Sequence, residues 1–112
     1  MSFTVLVRVT GRVEKHPCDT LVEALDRLES ELRACATTSR SAPVRVLGRE
    51  YEPVSQVVAR GELRGKGRLH AGVDVRGDGS TEAWTGRLRK HLVAPQGRED
   101  AFQALRRTLL AR

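Results

Sequence analysis

A chain of 112 residues, 39% hydrophobic and 30% charged, has the length and composition of one globular domain, and residues 1–112 are read as a single unit. No apolar run approaches the roughly 20 residues that a membrane-spanning helix requires. The opening MSFTVLVRVT has neither a cationic leader nor a small-residue cleavage site, so the expected location is cytoplasmic, with no membrane partner. The formal net charge of +6 is unevenly spread: residues 1–37 hold five basic and six acidic side chains, residues 38–112 fifteen and eight. Seventeen of the twenty basic residues are Arg, a bias that a GC-rich genome produces without selection for a partner, so the asymmetry is more informative than the total.

The alternation of Phe3, Val5, Val7 and Val9 with Thr4, Leu6, Arg8 and Thr10 has the period of a strand. Thr10-Gly11 offers a turn, which leaves open a second arm through Val13 or one long strand. Thr20 followed by Glu23 is a capping box, and Leu21, Leu25, Leu28, Leu32 and Cys35 then recur as one helical stripe. ATTSRSAP reads as a polar connection, and VRVLG as a short strand ending near Tyr51 and Pro53. A further strand, VSQVVARGEL, turns at Gly65 and Gly67 into RLHAGVDVRG. There Leu69, Ala71, Val73 and Val75 point one way and His70, Gly72, Asp74 and Arg76 the other. Asp78-Gly79 predicts a two-residue hairpin turn into WTGRLRKHLV, read as one strand with Trp84, Leu88 and Leu92 on one face and Arg87, Arg89 and His91 on the opposite face. A second amphipathic helix is expected from Arg98 to Leu110, with Glu99 and Asp100 in its first turn and Arg106 and Arg107 in its last.

Two helices with one apolar side each and strands of alternating character make an α+β fold. The expected architecture is a two-layer sandwich with a mainly antiparallel sheet of four or five strands, two helices on one face, and the order β-α-β-β-β-β-α. Its expected core is Leu25, Leu28, Leu32, Val73, Val75, Trp84, Leu88, Phe102, Leu105 and Leu109. Thr10-Gly11-Arg12-Val13-Glu14-Lys15-His16 matches Thr85-Gly86-Arg87-Leu88-Arg89-Lys90-His91 at five of seven positions, and each copy is followed by a loop and an amphipathic helix. If the echo is a duplication, the fold has pseudo-twofold halves with His16 and His91 in related positions.

The residues offer little for catalysis, and neither an enzyme activity nor a cofactor is expected. His16, Cys18 and His91 lack the paired spacing that pre-organises a zinc site, so no metal site is assigned. Cys18 and Cys35 flank a helix too long for them to bond, and Cys18 near its N-terminus is expected to have a somewhat lowered thiol pKa. His70 and Asp74 share a strand face without an adjacent nucleophile and read as solvated polar positions. GELRGKGR has glycines and cations but not the ordered spacing of a phosphate-binding loop, and reads as a hairpin turn.

Binding is better supported. Arg60, Arg64, Lys66 and Arg68 cluster around the Gly65 and Gly67 turn, and Arg87, Arg89, Lys90 and His91 lie on the strand expected nearby. The expected function is a small non-enzymatic binding module whose basic surface meets the phosphate backbone of a nucleic acid or of a ribonucleoprotein such as the ribosome. With four aromatic residues in the chain, base stacking is a minor contributor. The element order resembles the N-terminal domain of ribosome hibernation factors, and the portion from Thr20 onward resembles a double-stranded-RNA-binding domain. The latter implies a basic helix start near GREDAFQAL, where this chain has Glu99 and Asp100, so no functional residue is carried over. The alternative is a protein-interaction subunit, whether adaptor, immunity-type protein or homodimer, that uses the open sheet face, an edge strand or an acidic partner. It rests on the Thr4, Leu6, Arg8 row and on Val54 and Val58, which two helices cannot all cover.

Overall fold

The computed structural model describes residues 3–9, 12–40, 45–46, 49–50, 57–67, 69–77, 79–87 and 89–111. Strands β1 (Phe3–Val9) and β2 (Arg12–Cys18) form a hairpin in which Val5 pairs with His16 and Val7 with Glu14, so the chain takes the second arm. Helix α1 (Leu21–Arg40) opens where the Thr20 hydroxyl accepts the Glu23 N–H at 3.1 Å. The Glu23 carboxylate reaches back to the Asp19 N–H at 3.2 Å, one residue earlier than the usual reciprocal partner. The helix runs on over residues 36–40 of the expected polar connection, where neither Gly nor Pro occurs; Pro43 lies outside the described residues. A small ribbon, β3 (Arg45–Val46) with β4 (Arg49–Glu50), replaces the single short strand expected there; Tyr51, Pro53 and Val54 lie outside the described residues.

The main sheet is completed by β5 (Val57–Arg64), β6 (His70–Arg76), β7 (Thr81–Thr85) and β8 (His91–Val93), all antiparallel in the order β2-β1-β5-β6-β7-β8. The α+β architecture is as expected, with six strands where four or five were predicted and an extra strand before the first helix. The β6–β7 turn is wider than the predicted two-residue one. Arg76 N–H donates to Ser80 at 2.9 Å across a three-residue loop with Gly79 at φ +86, and Asp78 is outside the described residues. The stretch WTGRLRKHLV is a hairpin and not one strand: Gly86 sits at φ +113, and Trp84 pairs with Leu92 and Thr85 with His91. A side chain at Gly86 would strike the Arg89 carbonyl, so this reversal depends on glycine.

Helix α2 (Ala101–Leu110) begins three residues later than expected. Asp100 is its N-cap, accepting the Gln103 N–H at 2.8 Å while Gln103 accepts the Asp100 N–H at 2.9 Å, so Glu99 and Asp100 precede the first turn. Both helices cover one sheet face, where Val5, Val7, Ala59, Leu63, Ala71, Val73, Val75 and Ala83 meet Leu25, Leu28, Leu32, Phe102, Leu105 and Leu109. Gly61 is part of this fit, since a Cβ there would occupy the space of the Leu28 and Leu32 side chains. The helices are joined by Arg33 to Asp100 at 2.6 Å and by Arg106 to Asp26 at 2.7 Å and Glu29 at 3.1 Å. Of the expected core, Leu88 lies outside the described residues and Trp84 is buried, but on the other face.

The two copies of the sequence echo each lead the chain into an outermost strand, β2 or β8, followed by a helix on the same sheet face. Their conformations differ. His16 is the fifth residue of β2, whereas His91 is the first of β8, so the two histidines are not equivalent. Among the described residues, no helix is long and apolar enough to cross a membrane.

Candidate anion-binding surface

Opposite the helices the sheet carries a polar layer tied together by ion pairs. The register puts Arg60 beside Asp74 and both in the row of Glu82, while Trp84 lies over Gly72, whose missing side chain leaves room for the indole. Asp74 is 5% exposed and accepts from Arg60 Nε at 2.7 Å, Arg60 Nη2 at 3.2 Å and Trp84 Nε1 at 3.1 Å. Lys90 Nζ stands 4.7 Å from the Trp84 ring centre and 3.9 Å from Asp74, and His70 meets the ring edge-on at 5.3 Å. Charged and polar side chains thus bury the indole to 2% exposure without a second helical layer. Asp74 and His70 are structural members of this layer, contrary to the expectation of solvated positions. Next to it, Glu62 is shared by Arg64 at 3.1 Å, His70 at 3.3 Å and Arg8 at 3.4 Å. Burial works to raise the Glu62 carboxyl, but the His70 hydrogen bond and the Arg8 and Arg64 charges outweigh it and hold the group below its usual range.

At one end of the sheet the arrangement changes. The β5–β6 and β7–β8 loops emerge side by side, because β5 and β7 run toward this end and β6 and β8 start from it. Lys66 projects from the first loop and Arg87 and Arg89 from the second; all three are exposed and form no ion pair among the described residues. Between the loops lies a concave space of about 290 Å³ lined by Arg64, Gly65, Gly67, Leu69, His70 and Arg87. The Gly65 N–H donates to the Leu69 carbonyl at 3.1 Å to close the turn, and Gly67 takes φ +70. A side chain at Gly65 would collide with Phe3 and Leu69, so the narrow neck of this hairpin requires glycine.

The residues singled out from the sequence therefore separate into groups. Arg64, Lys66, Arg87 and Arg89 come together at the loop end, with Lys90 leaning inward over Trp84, and Arg68 lies outside the described residues. Arg60 does not join them, being held on the sheet by Asp74. His91 is exposed in the register row of Thr85 and Ala71, on the helix side of the sheet. The predicted cationic row on a strand is thus a cationic loop. Sequence reasoning missed His70 and Glu62 as members of this region. The signal is the hairpin itself: closing it at Gly65–Leu69 pairs His70 with Arg64 and leaves Glu62 two residues further along the same face.

Other chemistry is less well provided for. His16 and His91 occupy opposite outer strands, about five strand spacings or roughly 24 Å apart, so they cannot share a metal ion with Cys18. Glu14, His16 and Glu31 do converge, with ligand atoms within 4.8 Å of one another, and the buried His16 Nε2 has no hydrogen-bond partner. Arg12 already pairs with Glu14 at 2.7 Å, and an Arg27 nitrogen lies 3.0 Å from His16 Nδ1. Arginine only donates, so Nδ1 is an acceptor and Nε2 carries the proton, which is the opposite of what a metal bound at Nε2 requires. Burial pushes the Cys18 thiol up, with Glu23 adding to it, in place of the lowering expected from the helix N-terminus. Cys18 and Cys35 form no disulfide among the described residues. Comparison with family models, with curated proteins and with solved structures finds no match for this chain.

Proposed function

We propose that the protein is a non-enzymatic binding module whose loop end, centred on Lys66, Arg87 and Arg89 with Arg64 behind them, holds the phosphate backbone of a nucleic acid. The observation that carries this reading is the contrast between two sets of cations. On the open sheet face Arg8, Arg60, Arg64 and Arg76 each contact a carboxylate, whereas the three loop cations have none among the described residues. Neutralised arginines hold a sheet together; unneutralised ones crowded on two adjacent loops attract polyanions, and their mutual repulsion is relieved when phosphates arrive. The contacts are to backbone, because among the described residues Trp84 and Phe102 are buried and Phe3 is half-buried, leaving no exposed phenyl or indole ring to stack on bases.

The test is binding of a labelled duplex RNA, a duplex DNA and a single strand at low and moderate salt, with the native chain and with Arg87→Glu/Arg89→Glu. Each phosphate contact removed flattens the slope of log affinity against log salt by nearly one unit. The native chain binds and the double variant loses affinity with a flatter slope. Failure to bind any of the three at low salt refutes the nucleic-acid reading and leaves an acidic protein face as the partner for the same cations. Equal binding by the double variant places the surface elsewhere.

A further inference from the structure

The concave space between the two loops has a shape and chemistry that the exposed loop cations do not. We infer that it is a subsite for a terminal phosphate, the monoester dianion at the end of a nucleic-acid strand or on a mononucleotide. This rests on the anion-binding reading above and narrows it. Arg64 enters from the end of β5, His70 from the start of β6 and Arg87 from the β7–β8 loop, so three nitrogen-bearing side chains on three chain segments line one hollow. Two of them are pre-oriented from behind: Glu62 accepts from Arg64 Nη2 at 3.1 Å and lies 3.3 Å from His70 Nε2. Arg8, 3.4 Å from Glu62 on its other side, offsets the carboxylate, which therefore anchors the site without cancelling its positive charge. Arg64 keeps further guanidinium donors, and Arg87 has no hydrogen-bond or ion-pair partner among the described residues, so both can meet an incoming anion.

The walls select the ligand class. Gly65 and Gly67 place backbone, with no side chain, along the hollow, and Leu69 supplies one apolar side. A volume of about 290 Å³ is just under the roughly 300–1,000 Å³ of sites for drug-sized molecules and suits a smaller ligand, a phosphate with its sugar. A monoester points three oxygens into such a hollow and leaves by one substituent, whereas an internal diester has two substituents and rides across the rim. Lys66 and Arg89, exposed on the same two loops, are the cations available to the diesters that follow.

The experiment compares a labelled ten-nucleotide single-stranded RNA carrying a 5′-phosphate with the same strand carrying a 5′-hydroxyl, for the native chain and for Arg87→Gln. In parallel, inorganic phosphate and adenosine monophosphate are titrated while the amide signals of Gly65 and Leu69 are followed. One charge-assisted anchoring contact corresponds to about tenfold in affinity. The expected result is about tenfold tighter binding of the 5′-phosphorylated strand, abolished by Arg87→Gln, with Gly65 and Leu69 signals shifting in both small-ligand titrations. Equal affinity for the two strands with unmoved signals overturns the terminal-phosphate site while leaving the backbone-binding surface standing. Shifted signals without binding of either strand overturn the nucleic-acid reading and keep the subsite for small phosphate monoesters.

Discussion

Asp74 is the acceptor on which the polar layer turns, and Asp74→Ala measures how much that layer contributes. The substitution removes the partner of Trp84 Nε1 and of two Arg60 nitrogens at a position only 5% exposed. Leaving one partner of a fully buried pair unmatched costs about 3–5 kcal/mol, and an orphaned buried N–H about 1–3 kcal/mol. The Arg60 side chain is 35% exposed and can turn toward water, which discounts the first figure. An expected loss of about 2–3 kcal/mol remains, a large share of the 5–15 kcal/mol or so that holds a domain together. Asp74→Asn keeps an oxygen for the indole but faces Arg60 with a neutral group, and should lose about half as much. Trp84 is the only tryptophan, so its fluorescence during urea unfolding reports the very site perturbed. With a slope of about 1–2 kcal/mol/M for a domain of this size, the midpoint falls by roughly 1–3 M while the native emission shifts to the red. A loss under about 0.5 kcal/mol with unchanged emission, the range of an ordinary surface substitution, would refute the account of a buried and mutually dependent layer.

Gly72→Ala puts a methyl group into the space of the Trp84 ring and the Gly61 carbonyl, and should destabilise by about 1–3 kcal/mol with a red-shifted emission, read in the same urea assay. Glu62 and Asp100 both have carboxyls held below their usual range, in each case because hydrogen bonds and arginine charges outweigh burial. Their stabilisation is complete above the unfolded carboxylate pKa near 4 and is lost as pH falls through the lower folded values; acid unfolding monitored below about pH 5 should therefore be shallower in Glu62→Gln than in the native chain. Cys18 is 4% exposed with its thiol pushed up by burial, so a colorimetric thiol reagent should react with it slowly in the native protein and rapidly in urea.

What the sequence made legible is the face that packs. The stripes Leu25, Leu28, Leu32 and Phe102, Leu105, Leu109, and the alternation through Ala71, Val73 and Val75, follow from period alone, because burial against helices sorts residues by hydrophobicity at fixed spacing. Period alone assigns Trp84 to that same core, where a large apolar side chain is expected, but its register sets it on the opposite face, where Asp74, Arg60 and Lys90 hide it. Sequence period cannot reveal a hydrophobic residue buried by charged neighbours, because the burial comes from cross-strand register. The β7–β8 hairpin was hidden for a related reason: Arg87, Arg89 and His91 alternate like a strand face, and only the φ of Gly86 shows that the alternation runs through a turn. For the candidate site, the clustering of Arg64, Lys66, Arg87 and Arg89 followed from the meander. The exclusion of Arg60 required the distance to Asp74.

That division of the arginines has a consequence for how the molecule can be altered. Cations that hold the sheet have carboxylate partners and cost stability when removed. Lys66, Arg87 and Arg89 on the β5–β6 and β7–β8 loops have no ion-pair partner among the described residues, unlike Lys90, which reaches back to Asp74, and they have little to lose. Charge reversal at Arg87 and Arg89 should therefore leave the stability read from urea unfolding within about 0.5 kcal/mol of native, or raise it slightly by relieving repulsion with Lys66, even where it removes polyanion binding. A double variant that also unfolds more easily would mean that the loop cations are part of the scaffold, and the separation between a neutralised sheet face and a free loop surface would then be wrong. The polar layer makes the expected outcome the physical one: the sheet's own carboxylates, Glu62, Asp74 and Glu82, are already engaged by Arg8, Arg60, Arg64 and Arg76, so the loop charges are left facing outward.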